Sequence, residues 1–181
     1  MQDNTIPARE ADRVSVISRQ LQQAVDHYPR LAALSFSLHG AGGNTVLKPS
    51  VMLRFHTAVH RSFGEYVTER RVTGRPSQPT LLRWLWEDRP VLPCRMLLLF
   101  NRNAVFHLRD GASPGEALQP VTARLKTAWA DASDGGTLSE PVILYVDRTR
   151  PDAAEHALTR LREMTGMIAS PVSATRSGLV I

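Results

Sequence analysis

The sequence is poor in cysteine and in long hydrophobic runs. A single cysteine, Cys94, excludes an internal disulfide and a cysteine-rich zinc site. The longest apolar runs, such as residues 96–100, have five residues, whereas a membrane-spanning helix needs about 20. The N-terminus carries Asp3, Glu10 and Asp12, which a secretory signal lacks. We therefore expect a cytoplasmic protein that makes no contact with a membrane.

Lysine is scarce as well, so arginine supplies nearly all of the positive charge. The net charge is +5 and the isoelectric point is about 10.1. Residues 48–109 hold eleven basic residues against four acidic ones, a net charge of +7, whereas residues 110–181 carry −2. A cationic surface attracts polyanions, and arginine forms forked hydrogen bonds with phosphate. The basic middle third therefore predicts a nucleic-acid partner; a GC-rich genome that favours arginine codons is the alternative explanation.

The hydrophobic spacing predicts an α+β fold. Apolar residues recur at helical or strand spacing in eight segments, which are helices over 9–27, 51–69, 114–132 and 154–164 and strands over 31–39, 81–87, 91–100 and 142–146. After the first helix, the order β-α-β-β-α-β is that of the ferredoxin-like fold. This fold is an antiparallel sheet with two helices on one face, here with an extra N-terminal helix and a C-terminal helix. The order allows the other face to remain open.

The length of the chain, 181 residues, is that of one domain of ordinary size. We expect residues 1–8 to be a disordered N-terminus and residues 9–168 to form a single α/β domain. Residues 169–181 are expected to be a C-terminal tail. The oligomeric state is not readable from these features.

Three short patches of sequence resemble a known family. They are residues 27–31 (HYPRL), 84–87 (WLWE) and 94–101 (CRMLLLFN), and they resemble the YagK/YfjJ family of inovirus-type replication proteins across about residues 17–165. The resemblance implies a scaffold like that of the HUH endonucleases of rolling-circle replication in phages and mobile elements. In those enzymes two histidines on one strand hold a divalent metal, and a tyrosine on a helix attacks DNA.

The chain departs from this pattern at the catalytic positions. Cys94 and Met96 stand where the resemblance implies the two metal-binding histidines, and the helix predicted over 114–132 contains no tyrosine. Glu87 occupies the position of the acidic ligand. A turn over residues 88–91 pairs Leu85 with Cys94 and so places Glu87, Cys94 and Met96 on one face of the sheet, as a degenerate metal site. The resemblance then implies a replication-initiator scaffold without metal, cofactor or nuclease chemistry.

The basic loop before the predicted hairpin, and the hairpin itself, hold the candidate contacts to nucleic acid. Two tryptophans alternate with a leucine on the first strand and so point to one face, where they either pack in the core or stack on bases. The predicted contact residues are Arg70, Arg71, Arg75, Arg83, Arg89, Trp84 and Trp86.

Other motifs favour structural roles. His56 and His60 are four residues apart on a helix, a spacing suited to a metal but more typical of a solvated face. Residues 40–44 follow a strand as a phosphate-binding loop would, although they lack the Gly-Lys-Ser/Thr ending. Asp147 and Asp152 flank the end of a strand beside Arg148 and Arg150, which indicates surface ion pairs. Cys94 among apolar neighbours indicates a buried thiol.

Three functions follow, in order of preference. The first is a non-catalytic nucleic-acid-binding protein that resembles a degenerate rolling-circle initiator and binds single-stranded or hairpin DNA. The second is a protein-interaction or regulatory module that uses the same sheet face. The third is a metal-dependent nuclease with an unrecognised metal site, for which loss of nicking in Glu87→Ala is the test.

Overall fold

The computed structural model describes residues 8–88, 91–107, 111–168 and 171–175. Its helices are α1 (Ala8–His27), α2 (Pro49–Val72), α3 (Pro114–Ala132) and α4 (Pro151–Gly166). Its strands are β1 (Arg30–His39), β2 (Arg83–Glu87), β3 (Cys94–Asn101), β4 (Thr137–Leu138), β5 (Val142–Asp147) and β6 (Pro171–Thr175). The eight predicted helices and strands are all present.

The strands form one antiparallel sheet with the predicted ferredoxin-like order. Strand β1 lies between β3 and β5, and β3 lies between β1 and β2, so the central order is β5-β1-β3-β2. The short strand β4 continues along the same edge of β1 beyond β5. The fold class predicted from the sequence is therefore confirmed.

The C-terminal region contributes one more strand than we expected. Residues 171–175, assigned above to a tail, form β6 and pair antiparallel with β2 along its whole length. At the other terminus, α1 begins at Ala8, and the first seven residues of the predicted disordered segment lie outside the described residues.

Helices cover both faces of the sheet. On one face, α2 and α3 pack large side chains such as Phe55 and Trp129 against Trp84 and Phe100. On the other face, α1 and α4 pack against the alternate strand residues, including Leu97. The open face that the strand order allowed is therefore absent from the described part of the chain. Burial on both sides explains why residues 96–100 of β3 are apolar at every position.

Local sequence signals explain where the helices begin. Pro49 and Pro151 stand at the first helical position of α2 and α4, where the missing N–H has no partner to lose. Ser113 and Glu116 form a reciprocal capping box at the start of α3. Among the described residues, no helix has both the length and the apolar composition needed to cross a lipid bilayer.

Truncating one leucine beneath α1 and α4 tests whether this second face is packed. Leu97 is 1% exposed there, so Leu97→Ala is expected to lower the free energy of unfolding by about 2–5 kcal/mol. Leu53→Ala, at a leucine that is 64% exposed on α2, is the matched control and should change it by at most about 0.5 kcal/mol. Urea denaturation measures both. Equal, small effects would mean that α1 and α4 leave this face open.

Candidate functional site

Two of the predicted phosphate-contacting arginines lie inside the molecule. Arg70 is 3% exposed, donates from Nη2 to the carbonyl oxygen of Pro76 at 3.0 Å, and lies near the ring of Tyr66. Arg83 is 8% exposed, and its guanidinium lies 3.3 Å from both Gln23 Oε1 and His27 Nδ1 of α1. Both guanidiniums hold structural elements together, so burial removes them from the surface that a polyanion meets.

Trp84 is likewise part of the core. It is 2% exposed, its ring stacks on His56 at 4.6 Å between centroids, and it meets Phe55 edge-on. Trp86 is half-buried and contacts the edge of His56 at 5.0 Å. Of the two roles considered for these tryptophans, the structure places Trp84 in core packing, where no base can reach it.

The remaining predicted arginines differ in position. Arg71 in the last turn of α2 and Arg75 in the following loop are exposed, and neither guanidinium has a carboxylate partner among the described residues. Hydrogen bonds from Gln78 and Ser77 to Asn103 and Ala104 hold that loop against the end of β3. Arg89 lies outside the described residues.

The residues of the degenerate metal site are not brought together. The expected register places Leu85 opposite Cys94, but the structure pairs it with Leu97, a displacement of three residues. An odd displacement turns side chains to the other face, so Glu87 lies on the α1 and α4 face while Cys94 and Met96 lie on the α2 and α3 face. The prediction that Glu87 shares a face of the sheet with Cys94 and Met96 is therefore wrong.

The physical reason lies in the connection between the two strands. A tight turn at residues 88–91 would continue the ladder at once. Instead, Val91 forms a bridge with Val46, and the N–H of Leu92 donates to Thr45 at 2.7 Å. The segment before β3 thus pairs with the loop that precedes α2, and the hairpin ladder resumes only farther along the chain.

The clearest charged cleft lies at the end of the sheet where β1 begins and where β3 and β5 end. We call it the arginine cleft and define it by Arg30, Arg102, Arg150 and Asp147. Its volume is about 560 Å³, and Phe106, Gly111, Ala112 and Thr149 complete the described lining. Sheet register creates the cleft, because Arg30 pairs with Asp147 across β1 and β5, and Arg102 directly follows the partner of Leu31 on β3.

Asp147 is the carboxylate that ties these arginines together. Its Oδ2 lies 3.3 Å from Arg30 Nε and 3.5 Å from Arg102 Nη2. Its Oδ1 accepts hydrogen bonds from the N–H and the hydroxyl of Thr149, at 3.1 and 2.6 Å. The expected ion pair of Asp147 therefore exists, but its described partners come from β1 and the turn after β3 instead of the adjacent Arg148.

Burial and charge oppose each other in the arginine cleft. Burial is the largest influence on the pKa of Asp147 and raises it, but the Thr149 hydrogen bonds and the charges of Arg30 and Arg102 together lower it below its ordinary value. Burial, with the nearby charges of Arg30 and Arg150, lowers the pKa of Arg102, although Asp147 raises it. Burial and the neighbouring arginines thus disfavour the charged form of Arg102, and a bound anion would favour it.

Other motifs of the sequence have structural explanations. Cys94 is buried, and burial raises the pKa of its thiol to about 11. The glycine loop at residues 40–44 contains a short 3₁₀ turn, and Gly42 and Gly43 adopt positive φ values there. Among the residues described, no group of three or more His, Cys, Asp or Glu side chains is placed to hold a metal ion.

Sequence reasoning missed the arginine cleft. Arg102 belongs to none of the motifs, and Arg30 is singled out only by the patch that resembles the YagK/YfjJ family. Arg150 was assigned to a surface ion pair. The predicted strand order indicates only that β1 starts where β3 and β5 end in an antiparallel ferredoxin-like sheet. Which side chains meet there depends on the register, which the sequence does not give.

In a comparison with protein-family models, residues 10–141 match the family described as "Uncharacterised conserved protein UCP030791". The chain belongs to this family. The matched residues span α1 to the end of β4, so they include Arg30 and Arg102 but not Asp147 or Arg150. No curated protein and no solved structure matches the chain significantly. Membership in the UCP030791 family names no activity or ligand, and the function is therefore argued from the geometry.

The charge of Asp147 can be tested separately from its hydrogen bonds. Asp147→Asn keeps an acceptor oxygen for Thr149 but removes the charge that balances Arg30 and Arg102. We expect it to lower the free energy of unfolding at pH 7 by about 1–2 kcal/mol, a modest value because solvent screens the half-exposed Arg30.

The difference in unfolding free energy between wild type and Asp147→Asn should depend on pH. Because folding lowers the pKa of Asp147, its stabilisation is complete above the ordinary carboxyl value and is lost as the pH falls through the folded value. The difference in unfolding free energy between wild type and Asp147→Asn should therefore begin to narrow below about pH 4 and close as the pH falls through the lower, folded pKa. Urea titrations between pH 7 and 3 measure it, and a gap that stays constant would assign the effect to turn geometry.

The state of Cys94 predicts how the thiol reacts. A buried thiol with a pKa of about 11 is protonated at pH 7.5 and hidden from reagents. We expect no reaction with Ellman's reagent in the folded protein and one thiol per chain after denaturation in guanidinium. Rapid reaction of the folded protein would contradict the burial.

Proposed function

We propose that this protein binds nucleic acid without cutting it, and that it does so at the end of the sheet that carries the arginine cleft. The observation that carries the proposal is that Arg30 and Arg102 meet at one carboxylate, Asp147, in a cleft that Arg150 also lines. One guanidinium group can donate two parallel hydrogen bonds to the oxygens of a phosphate. Contacts to phosphate dominate the affinity of proteins for nucleic acids.

Two further arginines extend this cationic surface. Helix α2 runs back from the far end of β1, so its last turn and the following loop lie at the end of the sheet where β1 begins. Arg71 and Arg75 are exposed there, and the loop that carries Arg75 is bonded to the turn that contains Arg102. A single strand of nucleic acid could thus contact the arginine cleft and this loop at the same time.

The resemblance to the YagK/YfjJ replication proteins supports single-stranded or hairpin DNA as the ligand and a phage or mobile element as the origin. The cytoplasm, where such DNA is found, is the compartment we propose. A protein partner on the sheet face would have to displace α1 and α4, which pack there. The separation of Glu87 from Cys94 and Met96 likewise gives the nuclease alternative no support at the hairpin.

Salt titration with matched variants tests the proposal. We expect binding of a fluorescent single-stranded or hairpin DNA to weaken steadily between about 50 and 200 mM salt, because each phosphate contact releases counterions. Replacing both Arg71 and Arg75 by glutamine should reduce the slope of log K against log salt by about 1.4 for a single strand, at about 0.7 per contact.

The control removes the same charge elsewhere. Arg160 and Arg162 are exposed in the second half of α4, away from the end where β1 begins. Replacing both by glutamine should leave the salt slope near that of the wild type. Equal losses in the two double variants would mean that binding depends on net charge alone, and absence of binding at low salt would refute the proposed function.

A further inference from the structure

The arginine cleft is a concave pocket, whereas a groove would suffice to follow a nucleic-acid backbone. Its volume, about 560 Å³, is within the range of small-ligand sites. The described residues that line it carry three positive charges and one negative charge, a sum of +2.

The central guanidinium of the cleft is held in place before any ligand arrives. The Arg102 guanidinium carbon lies 5.4 Å from the ring centre of Phe106 and 6.0 Å from that of Tyr145, and Asp147 contacts one of its nitrogens. The side chain of Arg102 is only 12% exposed. A guanidinium fixed in this way loses little conformational freedom on binding, which favours affinity.

Arg150 also lines the cleft. It immediately precedes α4, its side chain is exposed, and no carboxylate partner is described for it. The turn that carries it is closed by its own N–H, which donates to the carbonyl of Asp147 at 3.0 Å. The cleft therefore combines a fixed guanidinium with an exposed one.

Charge distinguishes the two kinds of phosphate in a nucleic acid. A phosphodiester within a strand carries a single negative charge, whereas a terminal phosphomonoester carries about −1.5 to −2 at pH 7, because its second pKa is about 6. A pocket with a charge of +2 and converging guanidiniums matches the dianion.

We propose that the arginine cleft binds a terminal phosphomonoester, so that the protein recognises the phosphorylated end of a nucleic-acid strand. This inference rests on the proposed function and adds a specific ligand to it. Arg102 and Arg150 bind the phosphate oxygens, and Asp147 keeps Arg30 and Arg102 positioned.

The test compares three oligonucleotides of one sequence, with a 5′-phosphate, a 3′-phosphate or no terminal phosphate. Competition against one fluorescent strand at fixed salt measures the affinities. We expect one of the phosphorylated strands to bind about tenfold more tightly than the unphosphorylated strand, the effect of about one charge-assisted hydrogen bond. The strand that shows the preference identifies which end the cleft accepts.

Variants separate the cleft from the surrounding surface. Arg150→Gln alters an exposed side chain, so the protein should fold normally and lose most of the preference for the terminal phosphate. The double variant of Arg71 and Arg75 to glutamine should weaken all three strands by the same factor and keep the preference. Circular dichroism confirms that both variants are folded.

The protonation of the phosphate supplies a second readout. Lowering the pH from 7.5 to 5 converts the dianion to a monoanion, while the arginines remain charged. The preference should therefore fall at pH 5 to near unity. A preference unchanged by pH would overturn the charge-matching argument.

The outcomes distinguish this inference from the proposed function. Equal, salt-dependent binding of all three strands would overturn the inference and leave the proposed function standing. If no strand binds at low salt but adenosine 5′-monophosphate raises the melting temperature of the wild type and not of Arg150→Gln, the proposed function fails and a free nucleotide is the source of the phosphate. No binding of any probe would overturn both.

Discussion

The pairing of β1 with β3 on one side and with β5 on the other determines which charged side chains meet at the end of the sheet. It places the start of one strand beside the ends of two others, so that Arg30, Arg102 and Asp147 meet although they are far apart in sequence. Because both faces of the central strands are buried, a slip of one residue would turn apolar side chains away from their cores. The same hydrophobic burial that stabilises the sheet therefore fixes the arrangement of the cleft.

Arginines of one short region have three different environments. Arg70 and Arg83 are buried and tie α2 and α1 to their neighbours, whereas Arg71 and Arg75 are exposed at the surface. Arg102 lies between these extremes, partly buried beside a carboxylate and two rings. Net charge counts all of them equally, so a basic composition by itself does not locate a binding surface.

Because helices cover both faces of the sheet, the candidate site lies at the end of the sheet. Helices α1 and α4 fill the face that an open ferredoxin-like sheet would offer to a ligand. The loops and strand ends beside Arg30 then provide the accessible cationic surface, where a ligand need not displace packed side chains. The resemblance to replication initiators remains a prediction, since Glu87 and Cys94 lie on opposite faces and the matched family names no activity.

Local patterns in the sequence determined the helices, the strands and their ferredoxin-like order, because periodicity, proline and glycine act within a few residues. They also contained the unbroken apolar run of β3, which is typical of a strand buried on both faces. Only the tertiary structure decided the register of β2 on β3, the strand β6 and the meeting of Arg30, Arg102 and Asp147. These features depend on pairings between distant segments, and such pairings leave no trace in the spacing of neighbouring residues.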